Sequence, residues 1–211
     1  MQAVWVLALT LAPTGFWFWF FVRRDRHPEP PWLLARTFAW GMVAWVVAAA
    51  LQLSVKGALG GFVLLALGAL TEEGAKFLAA FTAAREPEFD EPVDGLVYAV
   101  SAALGFAVLE NLAYGWAYGV QVAAWHGLVT TLAHALFSAA IGYALTRQRF
   151  GGGRWWLLAG VLVSSLLHIC FNGLLTGRSG WWPLALLDAV LVLMYSLADR
   201  FYARFVAGRS E

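Results

Sequence analysis

Charge is scarce in this 211-residue chain. Only 13% of the residues are Asp, Glu, Lys or Arg, about half the share found in soluble domains. A soluble globular fold is therefore not expected. Cysteine is nearly absent: Cys170 is the single one, so no intrachain disulfide can form and the redox compartment is not legible. A formal net charge of +1 leaves no basic surface of the kind nucleic acid demands. No positive charge precedes the first apolar run, 3–22, whereas Arg23, Arg24 and Arg26 follow it. That order is the reverse of a cleavable signal peptide, and the run is expected to be retained. Neither an internal repeat nor a low-complexity segment is present.

What the chain has in abundance is apolar surface: 61% hydrophobic residues, 12 Trp and a mean hydropathy of +0.69. With roughly twenty apolar residues needed to cross a bilayer core, the sequence reads as an all-α, polytopic transmembrane bundle of about seven helices. These fall at 3–22, 32–55, 57–84, 95–119, 122–146, 155–176 and 181–199. One integral-membrane domain, 1–211, is expected, with 57–176 carrying its motifs. Pro28, Pro30 and Pro31 divide the first two spans, and Pro31 suits the opening of the second. Asp94 is a candidate cap for the fourth. Gly151, Gly152 and Gly153 precede the sixth. The segment 85–94 (REPEFDEPVD) reads as a solvated connector. Trp17, Trp19, Trp32, Trp155, Trp156, Trp181 and Trp182 lie near span ends, where an interfacial aromatic belt forms.

Lys and Arg near helix ends set the orientation. In a seven-span chain Arg23, Arg24, Arg26, Arg36, Arg85, Arg147, Arg149, Arg154, Arg200, Arg204 and Arg209 share one side, against Lys56 and Arg178 on the other. The basic side is then cytoplasmic, with the amino terminus outside and the carboxyl terminus inside.

Against this apolar background, Glu72, Glu73 and Lys76 stand out in the third span. Each charge at a helix centre costs about 3 kcal/mol on insertion scales, so such residues face inward and mark function by default. At 1.5 Å rise per residue, Glu73 lies about 16 Å from the basic end of its span, His134 about 18 Å, His168 about 20 Å and Glu110 about 22 Å. Four spans thus place an ionisable group near one level. Lys76 is one turn from both glutamates and can pair with either. His168 and Asn172, at i and i+4, share a helix face. Gly74 reads as a contact point for a neighbouring helix, Gly115 and Gly119 as internal packing, and His126 as interfacial.

Two histidines and a carboxylate can hold zinc with one position left for water, and a further carboxylate can take a proton from that water. In this arrangement Glu110, His134 and His168 are the ligands of a Zn²⁺ ion. Glu72 or Glu73 is the base, Lys76 keeps its partner ionised, and Asn172 donates to the developing oxyanion. The same residues also support a metal-free version, in which a glutamate activates water and His168 with Asn172 forms the oxyanion site. Asp188, in the last span, has no clear role.

The set Glu72-Glu73-x-x-Lys76, then VDGLVYAVSAALGFAVLENLAYG over 93–115, then His134, then His168-x-x-x-Asn172 resembles the PrsW intramembrane proteases, more distantly the CAAX prenyl endopeptidases and bacteriocin-processing membrane proteases. The resemblance runs over 57–175, and the DG…GFxxxEN segment is its most specific part. It implies proteolysis of membrane-anchored protein or peptide substrates in a bacterial plasma membrane; founding members are associated with site-1-type cleavage of an anti-sigma factor. By position, Glu72 and Glu73 match the family's glutamate pair, Glu110 and Asn111 its second motif, His134 its third, and His168 with Asn172 its last. The CAAX-type relatives place an arginine further from the glutamate pair than Lys76 lies here. They also carry a histidine where this chain has Glu110, a departure that favours a bound metal.

A proton- or ion-coupled transporter is the alternative reading, since the same buried Glu, His and Lys serve proton relays, although no inverted repeat supports it. An assembly subunit that has lost catalysis is a third. Oligomeric state is not legible. With the expected orientation, a protease added to intact spheroplasts removes an amino-terminal tag, while a carboxyl-terminal tag is cut only after lysis; the opposite pattern would invert the topology.

Overall fold

The computed structural model describes residues 1–23, 25 and 27–176, together with the isolated positions 189, 192, 195 and 196. Among the described residues the regular structure is entirely helical. The helices are α1 (Gln2–Val22), α2 (Pro31–Val55), α3 (Gly61–Ala83), α4 (Asp94–Tyr118), α5 (Val120–Trp125), α6 (Thr131–Arg149) and α7 (Trp155–Thr176). A π-helical turn, His126–Thr130, joins α5 to α6 into one continuous 30-residue rod.

Five segments are long and apolar enough to cross a membrane: α1, α2, α4, the α5–α6 rod and α7. The 23-residue α3 is of similar length, but its Glu72, Glu73 and Lys76 set it apart from that group. The expected count of about seven spans is therefore not reached among the described residues. The body of the predicted last span, 181–199, lies outside them, and with it Asp188, Trp181 and Trp182.

Burial divides the helices into two tiers. In an apolar 18-residue stretch of α4, 72% is buried, and in one of the α5–α6 rod 67%, against 22% for α1, 17% for α2 and 28% for α7. The first two form the axis of the bundle, and the other three present Leu, Val, Phe and Trp side chains outward. This explains why α4 carries so little polar–apolar asymmetry: a helix buried on every side has no face to leave polar.

Glycine lets the axis pack this tightly. A Cβ at Gly105 of α4 would overlap the Phe38 carbonyl of α2, and one at Gly41 of α2 would overlap the Ala102 carbonyl of α4. Each of the two glycines thus admits the backbone of the other helix. Gly95 and Gly142 do the same between α4 and α6. In lipid, helices gain association from van der Waals packing rather than from expelled water, so close backbone approach matters more than in a soluble core.

Several local expectations change. The third helix begins at Gly61 rather than at 57, because a turn over 56–58 and an extended Gly60 intervene. Gly119, at φ 94°, is a true corner between α4 and α5, whereas Gly115 packs against Val6 and Ala123. Asp94 does not cap α4; it lies inside the first turn, and its Oδ2 accepts the Glu91 N–H at 2.6 Å. Nor is 85–94 a solvated connector. Phe89 is fully buried, Arg36 pairs with Glu86 at 2.7 Å, Thr146 Oγ1 donates to the Pro92 carbonyl and Arg149 Nε to that of Phe89. Trp19, Trp32 and Trp155 are exposed at helix ends, as a belt requires.

Gly105→Val is expected to lower the thermal midpoint of the detergent-purified protein, by overpacking worth about 1–3 kcal/mol. Gly15→Ala, where a Cβ meets nothing within 4 Å among the described residues, is expected to leave it level or raise it. Equal midpoints for the two variants would remove the close-approach argument.

Candidate active site

The long apolar α3 can carry three charged residues because each finds a partner inside the bundle. Lys76 Nζ donates to Glu73 Oε1 at 2.5 Å and to His134 Nδ1 at 2.9 Å, and lies 4.7 Å from the centre of the Phe106 ring. Glu73 is wholly buried. Its Oε2 accepts from Ser164 Oγ at 2.6 Å, and its Oε1 meets His168 Nδ1 at 2.8 Å. Glu72, 8% exposed, accepts from Gln52 Nε2 at 2.8 Å through Oε1. Its other oxygen is buried without a hydrogen-bond partner and lies 3.8 Å from His168 Nε2. Glu110 Oε2 sits 2.6 Å from His134 Nε2.

These contacts constrain the tautomers. His134 Nδ1 faces the Lys76 ammonium, so the ring's proton resides on Nε2, toward Glu110. His168 donates from Nδ1 to the Glu73 carboxylate, which leaves the Nε2 lone pair facing Glu72. A histidine held by a carboxylate on one nitrogen and open on the other is the arrangement found at metal centres. The two imidazoles stand 5.3 Å apart at 86°, and Phe137 stacks on His168 at 5.1 Å. The π-turn immediately before α6 widens the helix ahead of His134. Such turns recur at functional sites, and this one is pinned by Asn111, which accepts from Thr130 and donates to Thr131.

The structure thus gathers Glu72, Glu73, Lys76, Glu110, His134 and His168 from α3, α4, α6 and α7 into one cluster. Asn172 lines the cavity of about 460 Å³ onto which the cluster opens. An adjoining cavity of about 370 Å³ shares Glu72, Glu110 and Gln52 with it and extends toward Trp45 and Lys56 on α2. Within the cluster, the ligand atoms lying within 4.8 Å of one another belong to Glu72, His134 and His168. Glu110 is not in that group, so the expected ligand trio of Glu110, His134 and His168 differs from the geometry by one carboxylate.

Gln52 and Ser164 were not among the sequence candidates. Each is a lone or paired polar residue in an apolar helix, and Ser164 precedes His168 by one turn, a signal that was there to be used. His126 is also more than interfacial: half-buried, it stacks on Tyr114 at 4.2 Å in the cavity wall. Among the described residues no neighbouring helix comes within 4 Å of where a Cβ at Gly74 would stand.

Residues 29–198 match the family model described as PrsW family intramembrane metalloprotease. Protease PrsW of Geobacillus kaustophilus is 33% identical over 170 residues, covering 77% of this chain and 76% of its own. Protease PrsW of Bacillus subtilis is 31% identical over 196 residues, covering 89% and 90%, and that of Oceanobacillus iheyensis 28% identical over 202 residues, covering 92% of each. No solved structure matches the chain. With apolar helices long enough to span a bilayer and a match over most of its length, this integral membrane protein is a protease and belongs to the PrsW family of intramembrane metalloproteases.

Proposed function

We propose that the chain is an intramembrane endopeptidase of a bacterial plasma membrane, amino terminus outside, cutting membrane-anchored protein substrates of the anti-sigma-factor kind. The observation that carries the reading is the buried cluster of carboxylates and imidazoles opening onto a cavity within the bundle. The relatives named above are proteases and lend the transporter alternative no support.

A metal fits this chain's own residues. Glu72 Oε2 is buried without a hydrogen-bond partner, His168 Nε2 faces it, and two nitrogens with one oxygen form a catalytic zinc donor set. Glu72, His134 and His168 would hold the ion, a revision of the trio expected from depth alone. Binding would require the His134 Nε2 proton to be released to solvent, and Glu110, whose Oε2 meets that nitrogen at 2.6 Å, would stay ionised. When bound, zinc would supply Lewis acidity and lower the pKa of a coordinated water.

The remaining roles fall to groups whose partners are on the page. Glu73 is saturated by Lys76, Ser164 and His168, so it orients His168 rather than reaching substrate. Glu110 lines both cavities and is the carboxylate left to take the water proton and return it to the leaving amine. Asn172 donates to the scissile carbonyl oxygen as charge develops there. The metal-free version gives the base role to Glu72 and keeps Asn172 with His168 as the oxyanion site.

Glu110→Gln is expected to lower kcat on a membrane-tethered peptide by about 10²–10⁴-fold, the usual worth of a general base, with metal content unchanged. Glu72→Gln is expected to abolish cleavage and lose the metal together. Full activity in both variants would sink the hydrolytic assignment.

Elemental analysis of purified protein should find about one zinc per chain, lost in His134→Ala. Activity that survives stripping by strong chelators, with no metal found, would leave only the metal-free mechanism.

A further inference from the structure

Between Thr37 and Ser54 the second helix carries one amide or hydroxyl side chain, Gln52. A half-buried amide in an apolar helix is costly unless it finds a partner. Gln52 finds one on the neighbouring helix, where its Nε2 donates to Glu72 Oε1 at 2.8 Å. An ionised carboxylate only accepts, so the nitrogen is the end of the amide that faces it. A Cβ at Gly68 would stand 3.5 Å from the Gln52 side-chain carbonyl carbon. The amide therefore reaches Glu72 across a glycine one turn earlier on the same face of α3. Gln52, Glu72 and Glu110 line both cavities, so this hydrogen bond stands where the two adjoin.

The bond gives the two oxygens of one carboxylate different tasks. Oε1 is occupied by Gln52. Oε2 is buried, has no hydrogen-bond partner among the described residues and lies 3.8 Å from His168 Nε2. The terminal torsion of a glutamate is broad, so the side chain's own covalent geometry does not select which oxygen faces the histidine. Carboxylates and imidazoles that hold a metal are themselves held by outer hydrogen-bond partners, which set their orientation. Glu73 is such a partner for His168. Gln52 stands in the same relation to Glu72, and does so from α2, a helix that gives the cluster no ligand.

We infer that Gln52 is a positioning residue of the protease. By holding Glu72 through Oε1 it keeps Oε2 turned toward His168 and free for the metal. The inference rests on the reading of Glu72 as a ligand. An amide that merely joined two helices would be membrane glue, and metal affinity with a spectroscopic signature separates the two roles.

The test uses the full chain in detergent, stripped of metal and titrated with Zn²⁺ against a chromophoric chelator, with the visible spectrum of the Co²⁺-loaded protein recorded alongside. Gln52→Met keeps the length of the side chain and loses the donor. It should bind Zn²⁺ about 10–100-fold more weakly than wild type, the usual worth of an outer partner, and show an altered Co²⁺ spectrum. Gln52→Asn keeps an amide but draws it back by one methylene; it should do the same, and it keeps the test open where Met disturbs the helix. Thr146→Val removes a hydrogen bond to the Pro92 carbonyl, away from the cluster. It should leave Zn²⁺ affinity and the Co²⁺ spectrum as in wild type, whatever it costs in stability. A wild-type Co²⁺ spectrum in both Gln52 variants, with affinity no lower than in Thr146→Val, would make the bond structural and overturn the inference. Loss of the metal in Glu72→Gln under that outcome would leave the ligand reading standing. Wild-type Zn²⁺ affinity in Glu72→Gln would overturn the ligand reading and this inference with it.

Discussion

The ion pair between Lys76 and Glu73 is the interaction on which the interior depends. Both side chains are fully buried, in a region where an unpaired charge has nowhere to be solvated. Removing one partner of such a pair typically costs about 3–5 kcal/mol, because the survivor is left uncompensated. The pair does not stand alone. Lys76 also reaches His134 on α6, and Glu73 reaches Ser164 and His168 on α7. Neutralising two charges on α3 therefore fixes the azimuth of that helix and the positions of two others. The polar network that makes the charges tolerable is also what aims the imidazoles.

The axis of the bundle solves a different problem. The α2–α4 and α4–α6 crossings rely on glycine pairs that let backbones touch, and Lys76 lies over the Phe106 ring one residue beyond Gly105. Bringing α4 close to α2 brings Gln52 and Glu110 to the same cavities. Small residues thus do more than fill space: they set the distance across which the site's side chains must reach.

Much of this was legible in the sequence because lipid punishes charge. Depth along each span is readable at 1.5 Å per residue, and it brought Glu73, Glu110, His134 and His168 to one level before any coordinates. Azimuth is not readable in the same way. Adjacent residues on a helix point about 100° apart, so the pair Glu72 and Glu73 gave no sign that Glu73 would be locked into the Lys76 network while Glu72 joined the two histidines. For the same reason Glu110 shares their level and meets His134 at 2.6 Å without joining the mutually close set of Glu72, His134 and His168. The 85–94 segment failed for a second reason: its acidic, proline-containing composition is that of a solvated loop, and only tertiary contacts with Arg36, Thr146 and Arg149 reveal that it is packed.

Helix α4 links the packed 85–94 connection to the catalytic cluster. Asp94 lies in its first turn and Glu110 sixteen residues later, about 24 Å along the axis. Because the helix between them is buried on nearly all sides and clamped at Gly95 and Gly105, it cannot slide without disturbing both crossings. Whatever fixes the foot of α4 therefore also fixes the height at which Glu110 meets His134.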